Sequence, residues 1–166
     1  MSKKLAIVPL LLLLALGTSA RGAEASTINL DAQINDIFNP INLFLEAGSW
    51  IVTPIVADFE SWSRHIDSWC DDSGCTQGFE NSYYFSAPDL GVMNAWNGIF
   101  YPFASDAVGY GVSSTFTLAT AQTVSFYLDD FPLGDNRGGE SLDLAAIPEP
   151  ASLTLLVTGL AAFGRR

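Results

Sequence analysis

The sequence predicts a mainly β fold: an antiparallel β-sandwich or jelly-roll-like domain over residues 26–147, framed by an N-terminal signal peptide (1–25) and a short apolar C-terminal helix (148–166). Three observations carry this expectation. Apolar and polar residues alternate through much of the middle of the chain, the signature of strands with one buried face. Phe163 is the only aromatic outside the middle segment, so nearly all the large rings are available to one core. The connections between alternating stretches are short and polar, without the strand–helix rhythm of a parallel sheet.

The elements follow in order. Ile28, Leu30, Ala32 and Ile34 alternate with Thr27, Asn29, Asp31 and Gln33, which gives a half-buried strand. Residues 42–45 and 50–55 flank Glu46-Ala47-Gly48-Ser49 and read as a hairpin. Phe59, Trp62, Ile66 and Trp69 recur at spacings of three, four and three, so residues 58–69 are expected as a short helix or a folded aromatic loop. Residues 111–120 and 122–130 are rich in Val, Phe, Thr and Tyr, contain no proline and predict two long strands. Residues 140–145 alternate again.

Both ends read as addresses. Lys3 and Lys4 precede an apolar run from Leu5 to Leu16, and small residues follow. That run suits a signal core and is too short for a permanent span, with cleavage after Ala20 or after Ala25. At the other end come Pro148, Glu149 and Pro150, the apolar stretch 151–163, and the terminal Arg165 and Arg166. As a helix that stretch covers only about 20 Å at ~1.5 Å per residue, against roughly 30 Å of hydrocarbon. The arginine pair keeps the last residues cytoplasmic while signal-led export places the domain outside.

The whole chain carries a net charge of −11, which disfavours nucleic acid and anionic lipid as partners. The middle is more acidic still: among its residues only Arg64 and Arg137 are basic, whereas all acidic residues except Glu24 and Glu149 lie within it.

Cys70 and Cys75 enclose Asp71-Asp72-Ser73-Gly74, and in an exported chain this points to an intramolecular disulfide. A metal site would find only His65 nearby, and a redox pair prefers a tighter spacing. His65 is the single histidine, and no serine or cysteine stands out as its nucleophilic partner. Acidic residues are too abundant for a carboxylate pair to signal anything. The reading is non-enzymatic. Residues 129–139 form the best candidate site: Asp129, Asp130, Asp135 and Asn136 offer hard oxygens on a glycine-bearing loop, as Ca²⁺ requires, with Tyr127 or Phe131 as stacking neighbours for a ligand. The competing reading is an exposed turn in which Asp and Asn satisfy local backbone donors.

The order Pro148-Glu149-Pro150, apolar stretch, Arg165-Arg166 resembles the PEP-CTERM sorting signal of exported bacterial proteins. The resemblance covers about the last twenty residues. It implies recognition by exosortase, a membrane-embedded cysteine transpeptidase, and an address in the envelope or outside the cell with transient anchoring by the tail. An ordinary single-pass anchor is the competing reading. Segments 42–48, 95–97 and 135–139 are similar to those of a group of PEP-CTERM proteins with a β-sandwich of uncharacterised role. The 129–139 loop faintly resembles the calcium loops of some sugar-binding jelly rolls, which implies a Ca²⁺-dependent carbohydrate-binding module as the alternative to a matrix protein associated with extracellular polysaccharide.

Overall fold

The computed structural model describes residues 26–67 and 69–148. The expected signal peptide (1–25) and, of the expected sorting residues, Glu149, Pro150, Arg165 and Arg166 lie outside the described residues, of which Pro148 is the last. No described helix is long and apolar enough to cross a membrane.

Twelve strands follow in chain order: β1 (Ser26–Asp31), β2 (Ile41–Leu45), β3 (Gly48–Ile55), β4 (Trp62–Ser63), β5 (Trp69–Asp71), β6 (Gly74–Gln77), β7 (Phe79–Glu80), β8 (Ser82–Ala87), β9 (Gly91–Trp96), β10 (Ser114–Leu118), β11 (Gln122–Tyr127) and β12 (Arg137–Ile147). Among the described residues one helix, α1 (Ala104–Gly109), precedes β10, and a 3₁₀ turn at Leu133–Asp135 precedes β12. Every pairing is antiparallel. The larger sheet runs β10-β3-β12-β4-β7 with β1 also on β12, and the smaller runs β2-β11-β8-β9. Strands β5 and β6 form a separate hairpin.

The two sheets bury one face each against the other, as a sandwich requires. Ile28, Leu30, Val52, Leu142 and Leu144 from the larger sheet meet Leu45, Tyr83, Phe85, Val124 and Phe126 from the smaller in one core cluster. Phe85 and Phe116 make the contact between layers, with ring centroids 5.0 Å apart. The predicted sandwich is therefore present at the level of two packed antiparallel sheets.

One local expectation is overturned and another is decided between its two alternatives. Residues 42–45 and 50–55 are strands, but they are not a hairpin: β2 pairs with β11 in the smaller sheet, while β3 lies between β10 and β12 in the larger. The Glu46-Ala47 link carries the chain from one layer to the other. The described residues of 58–69 take the folded aromatic loop rather than the helix, interrupted by β4 and reaching β5 at Trp69. Ser61, Trp62 and Ser63 are buried consecutively, with Trp62 held by its Nε1 donating to Ser82 O at 3.0 Å, while Ile66 and Trp69 are exposed. The helical spacing of the aromatics did not mark one buried face.

Strand lengths also shift. The 111–120 stretch is a strand only over β10, and the 122–130 stretch ends at Tyr127 in β11, so Asp129 and Asp130 lie beyond the sheet. Strand β12 is longer than the 140–145 alternation, and it carries the larger sheet by pairing with β1, β3 and β4. Its register changes partner beside Gly139, where an added Cβ would fall 2.3 Å from Leu30 O and 2.6 Å from the Phe59 ring.

Candidate functional site

Alternation along the smaller sheet settles which side chains face out. Tyr83, Phe85, Ala95, Val124 and Phe126 point into the core, so Tyr84, Ser86, Val92, Asn94, Trp96, Thr123, Ser125 and Tyr127 belong to the outer face. Registers Ser125↔Ser86↔Val92 and Tyr127↔Tyr84↔Asn94 make these adjacent rows. The first row floors an open depression of about 720 Å³ lined by Ser86, Ala87, Pro88, Gly91, Val92, Thr123 and Ser125. Ser125 Oγ lies 2.6 Å from Asn42 Oδ1 on neighbouring β2, which fixes one hydroxyl of that floor.

The next row on the same face carries rings. Tyr84 and Tyr127 stack with centroids 5.6 Å apart and an interplanar angle of 15°. Burial, with the nearby Asp129 carboxylate adding to it, raises both phenols above their ordinary range, so their hydroxyls remain protonated donors at neutral pH.

Beyond this stack sits Arg64, delivered by the segment after β4. Its Nε donates to Glu80 Oε1 at 2.5 Å and its Nη2 to Oε2 at 3.4 Å. The guanidinium lies over the Trp62 ring at 5.4 Å and the Trp96 ring at 5.8 Å, and Trp96 meets Phe100 at 5.6 Å. Burial opposes the Arg64 charge, but the Glu80 carboxylate outweighs it and the pKa is raised. Glu80 is fully buried and also accepts from Ser82 Oγ at 2.9 Å, so this cation is anchored from below while part of it stays in solvent. Sequence reasoning passed over Arg64. Its signal was its rarity: one of two basic residues in a very acidic domain.

The loop predicted as a metal site adjoins this corner without reproducing the predicted ligand set. Asp129 is exposed and faces the tyrosine pair. Asp130 is half-buried; burial raises its carboxyl above the ordinary range although Arg64 and Asn136 pull it down. Asn136 is fully buried, its Nδ2 donating to Ala32 O at 3.0 Å. Among the described residues no three His, Cys, Asp or Glu gather as a metal-holding group, so Asp129 does not join Asp130 and Asp135 in one carboxylate cage. The stacking candidates divide. Phe131 is 86% exposed, whereas Tyr127 is only 2% exposed because its ring is packed on Tyr84, and it offers no free face to a sugar.

The disulfide is present. Cys70 and Cys75 are bonded across the β5–β6 hairpin, where they sit opposite each other in register. Asp71 at its turn accepts from Ser73 Oγ at 2.5 Å and from Ser73 N at 2.8 Å, which lowers its pKa. His65 is engaged locally: its Nδ1 accepts from Asp67 N at 3.1 Å and its ring lies 5.0 Å from Trp69. Comparison with family models, with curated proteins and with solved structures returned no match.

Proposed function

We propose that this chain is an exported, non-enzymatic surface or extracellular-matrix protein, sorted through Pro148-Glu149-Pro150 and Arg165-Arg166 by an exosortase-type enzyme, whose sandwich holds extracellular polysaccharide on the outer face of the smaller sheet. One observation carries the ligand half of this reading: the outer face of the smaller sheet bears an open depression whose apolar lining is punctuated by the hydroxyls of Ser86, Thr123 and Ser125, and the next row along that face holds Tyr84, stacked on Tyr127. Sugars present hydroxyls of both donor and acceptor character along an apolar ring face. A floor of Ser86, Thr123 and Ser125 next to rings and fixed charges matches that chemistry without requiring a deep cleft.

The disulfide suits an oxidising compartment, which supports the exported address. The non-enzymatic reading is supported by the candidates' surroundings: His65 is engaged by its own loop, and Glu80 and Glu140 are fully buried. The test is affinity electrophoresis of the intact chain through gels containing acidic and neutral bacterial polysaccharides. Retardation by at least one polysaccharide is expected, falling about tenfold in affinity for Tyr84→Ala combined with Asp129→Ala, a loss near 1.4 kcal/mol. Phe103→Ala, an exposed ring on another segment, should leave it unchanged. Equal mobility in every gel would overturn the polysaccharide reading.

A further inference from the structure

We propose that the loop between β11 and β12 holds one hard divalent cation, Ca²⁺ by its oxygen chemistry, through Asp130, Asp135 and Asn136. The site is narrower than the sequence suggests and excludes Asp129, which faces the tyrosines instead.

Two buried oxygens point to it. Asn136 is fully buried and its Oδ1 has no hydrogen-bond partner, although its Nδ2 is satisfied by Ala32 O. The adjacent Asp135 turns Oδ1 inward, where it too is buried and unpartnered. Buried oxygens without a donor are costly in a folded protein, and a cation would give both of these a partner. The 3₁₀ turn at Leu133–Asp135 sets Asp135 immediately before Asn136, and the Asp130 carboxylate faces the N–H side of the Asn136 amide and lies within the field of Asp135. Two carboxylates and one amide thus neighbour one another on this loop.

The backbone around them is fixed from outside the loop. Gln33 Nε2 donates to Asn136 O at 2.8 Å, Leu128 N to Asn35 O at 2.8 Å, and Ala32 N to Gly138 O at 3.1 Å. The residues 32–35 therefore splint the 128–138 loop, so the oxygens do not have to be gathered when a cation arrives. The neighbouring cation, Arg64, is directed to Glu80 by two hydrogen bonds and acts on Asp130 through its field. A set of two carboxylates and an amide is fewer than the roughly 6 to 8 oxygens that Ca²⁺ takes. Water and loop carbonyls complete the shell, which places the expected affinity with weak extracellular sites, on the order of 10⁻⁴–10⁻³ M. This inference is independent of polysaccharide binding: either can fail while the other stands.

The experiment is calorimetric titration of the intact, chelator-washed chain with Ca²⁺ alone, with thermal melting in Ca²⁺ and in chelator. One saturable site and a higher melting midpoint in Ca²⁺ are expected. Asp135→Asn keeps the side-chain shape and should weaken binding at least tenfold, as should Asp130→Asn. Asp72→Asn, which removes an exposed carboxylate at the disulfide hairpin, should not. A flat titration of the unsubstituted chain overturns the site. Equal weakening by Asp72→Asn and Asp135→Asn also overturns it, since that result describes a diffuse acidic surface.

Discussion

Glu140 sits in β12 with no exposure to water, its Oε1 accepting from Asn81 Nδ2 and its Oε2 unpartnered. Burial first, and then the nearby Glu80 charge, hold its carboxyl well above the ordinary value of 4.5 despite the Asn81 bond. The folded state therefore keeps a proton that the unfolded chain releases once pH passes that value. Unfolding releases a proton between the two pKa values, and stability falls as pH rises through that window, by at most about 1.4 kcal/mol per pH unit. Glu140→Gln should keep the Asn81 bond, raise stability at neutral pH and flatten this slope. Denaturant melts at intervals from pH 4 to pH 8 read the difference; parallel curves for the two proteins would sink the assignment. Asp130, also raised, leaves a smaller slope of the same sign in the variant. Tyr83, buried behind Glu140 and pushed up to about 12, donates to Val112 O at 3.0 Å and does not titrate in this range.

At the scale of elements, what could be read from residues depended on whether the two faces of a strand differ. Strand β1 and the end of β12 were legible because Ile28 and Leu30, or Leu142 and Leu144, are core positions separated by polar ones. Strand β8 was not, since Tyr84 between Tyr83 and Phe85 is also aromatic: the outer face carries the candidate site, and a functional face erases alternation. Strand β9 is an edge whose residues 91–94 are exposed, and α1 is one short helix with only Ala107 buried, so neither has a periodic signal. Pairing was hidden because β2 and β3 adjoin in sequence yet belong to different layers, a choice made by long-range packing. The disulfide and the acidic loop were visible from residue type; the Arg64 corner was not, because its parts come from β4, β7, β8 and β9. Glycines show the same contrast between local and tertiary constraint. Gly139→Ala would press a methyl against Leu30 O and Phe59, and should cost about 1–3 kcal/mol or more. Gly134 has nothing within 4 Å of its added Cβ, so Gly134→Ala should be neutral or stabilise by about 0.4–1 kcal/mol. Chemical denaturation of both variants checks the pair, and a mild effect at Gly139 would contradict the packing described for β12.

The whole molecule has two distinct ends. Ser26 opens β1 opposite Leu144, and Ile147 closes β12 opposite Ser49, so the first and last described strands enter and leave at one end of the sandwich. Asp31 pairs with Gly139 at the other end, where the residues 32–40 and 128–136 meet beside Phe38 and Phe131, 89% and 86% exposed. A chain tethered through its C-terminal segment would thus present the acidic loop and its exposed rings away from the tether, with the depression on the smaller sheet along the side. Among the described residues, Leu142 and Leu144 are the last buried members of the core, with Ala146 packed against them. Removing residues 148–166 should therefore leave the melting midpoint of the domain unchanged while altering its distribution among membrane, envelope and medium fractions. The two readouts separate sorting from folding. A truncated chain that melts like the intact one but fractionates differently supports the Pro-Glu-Pro segment as an address. If both chains melt alike and fractionate alike, the segment is no sorting signal, and the acidic sandwich must be placed by what it binds.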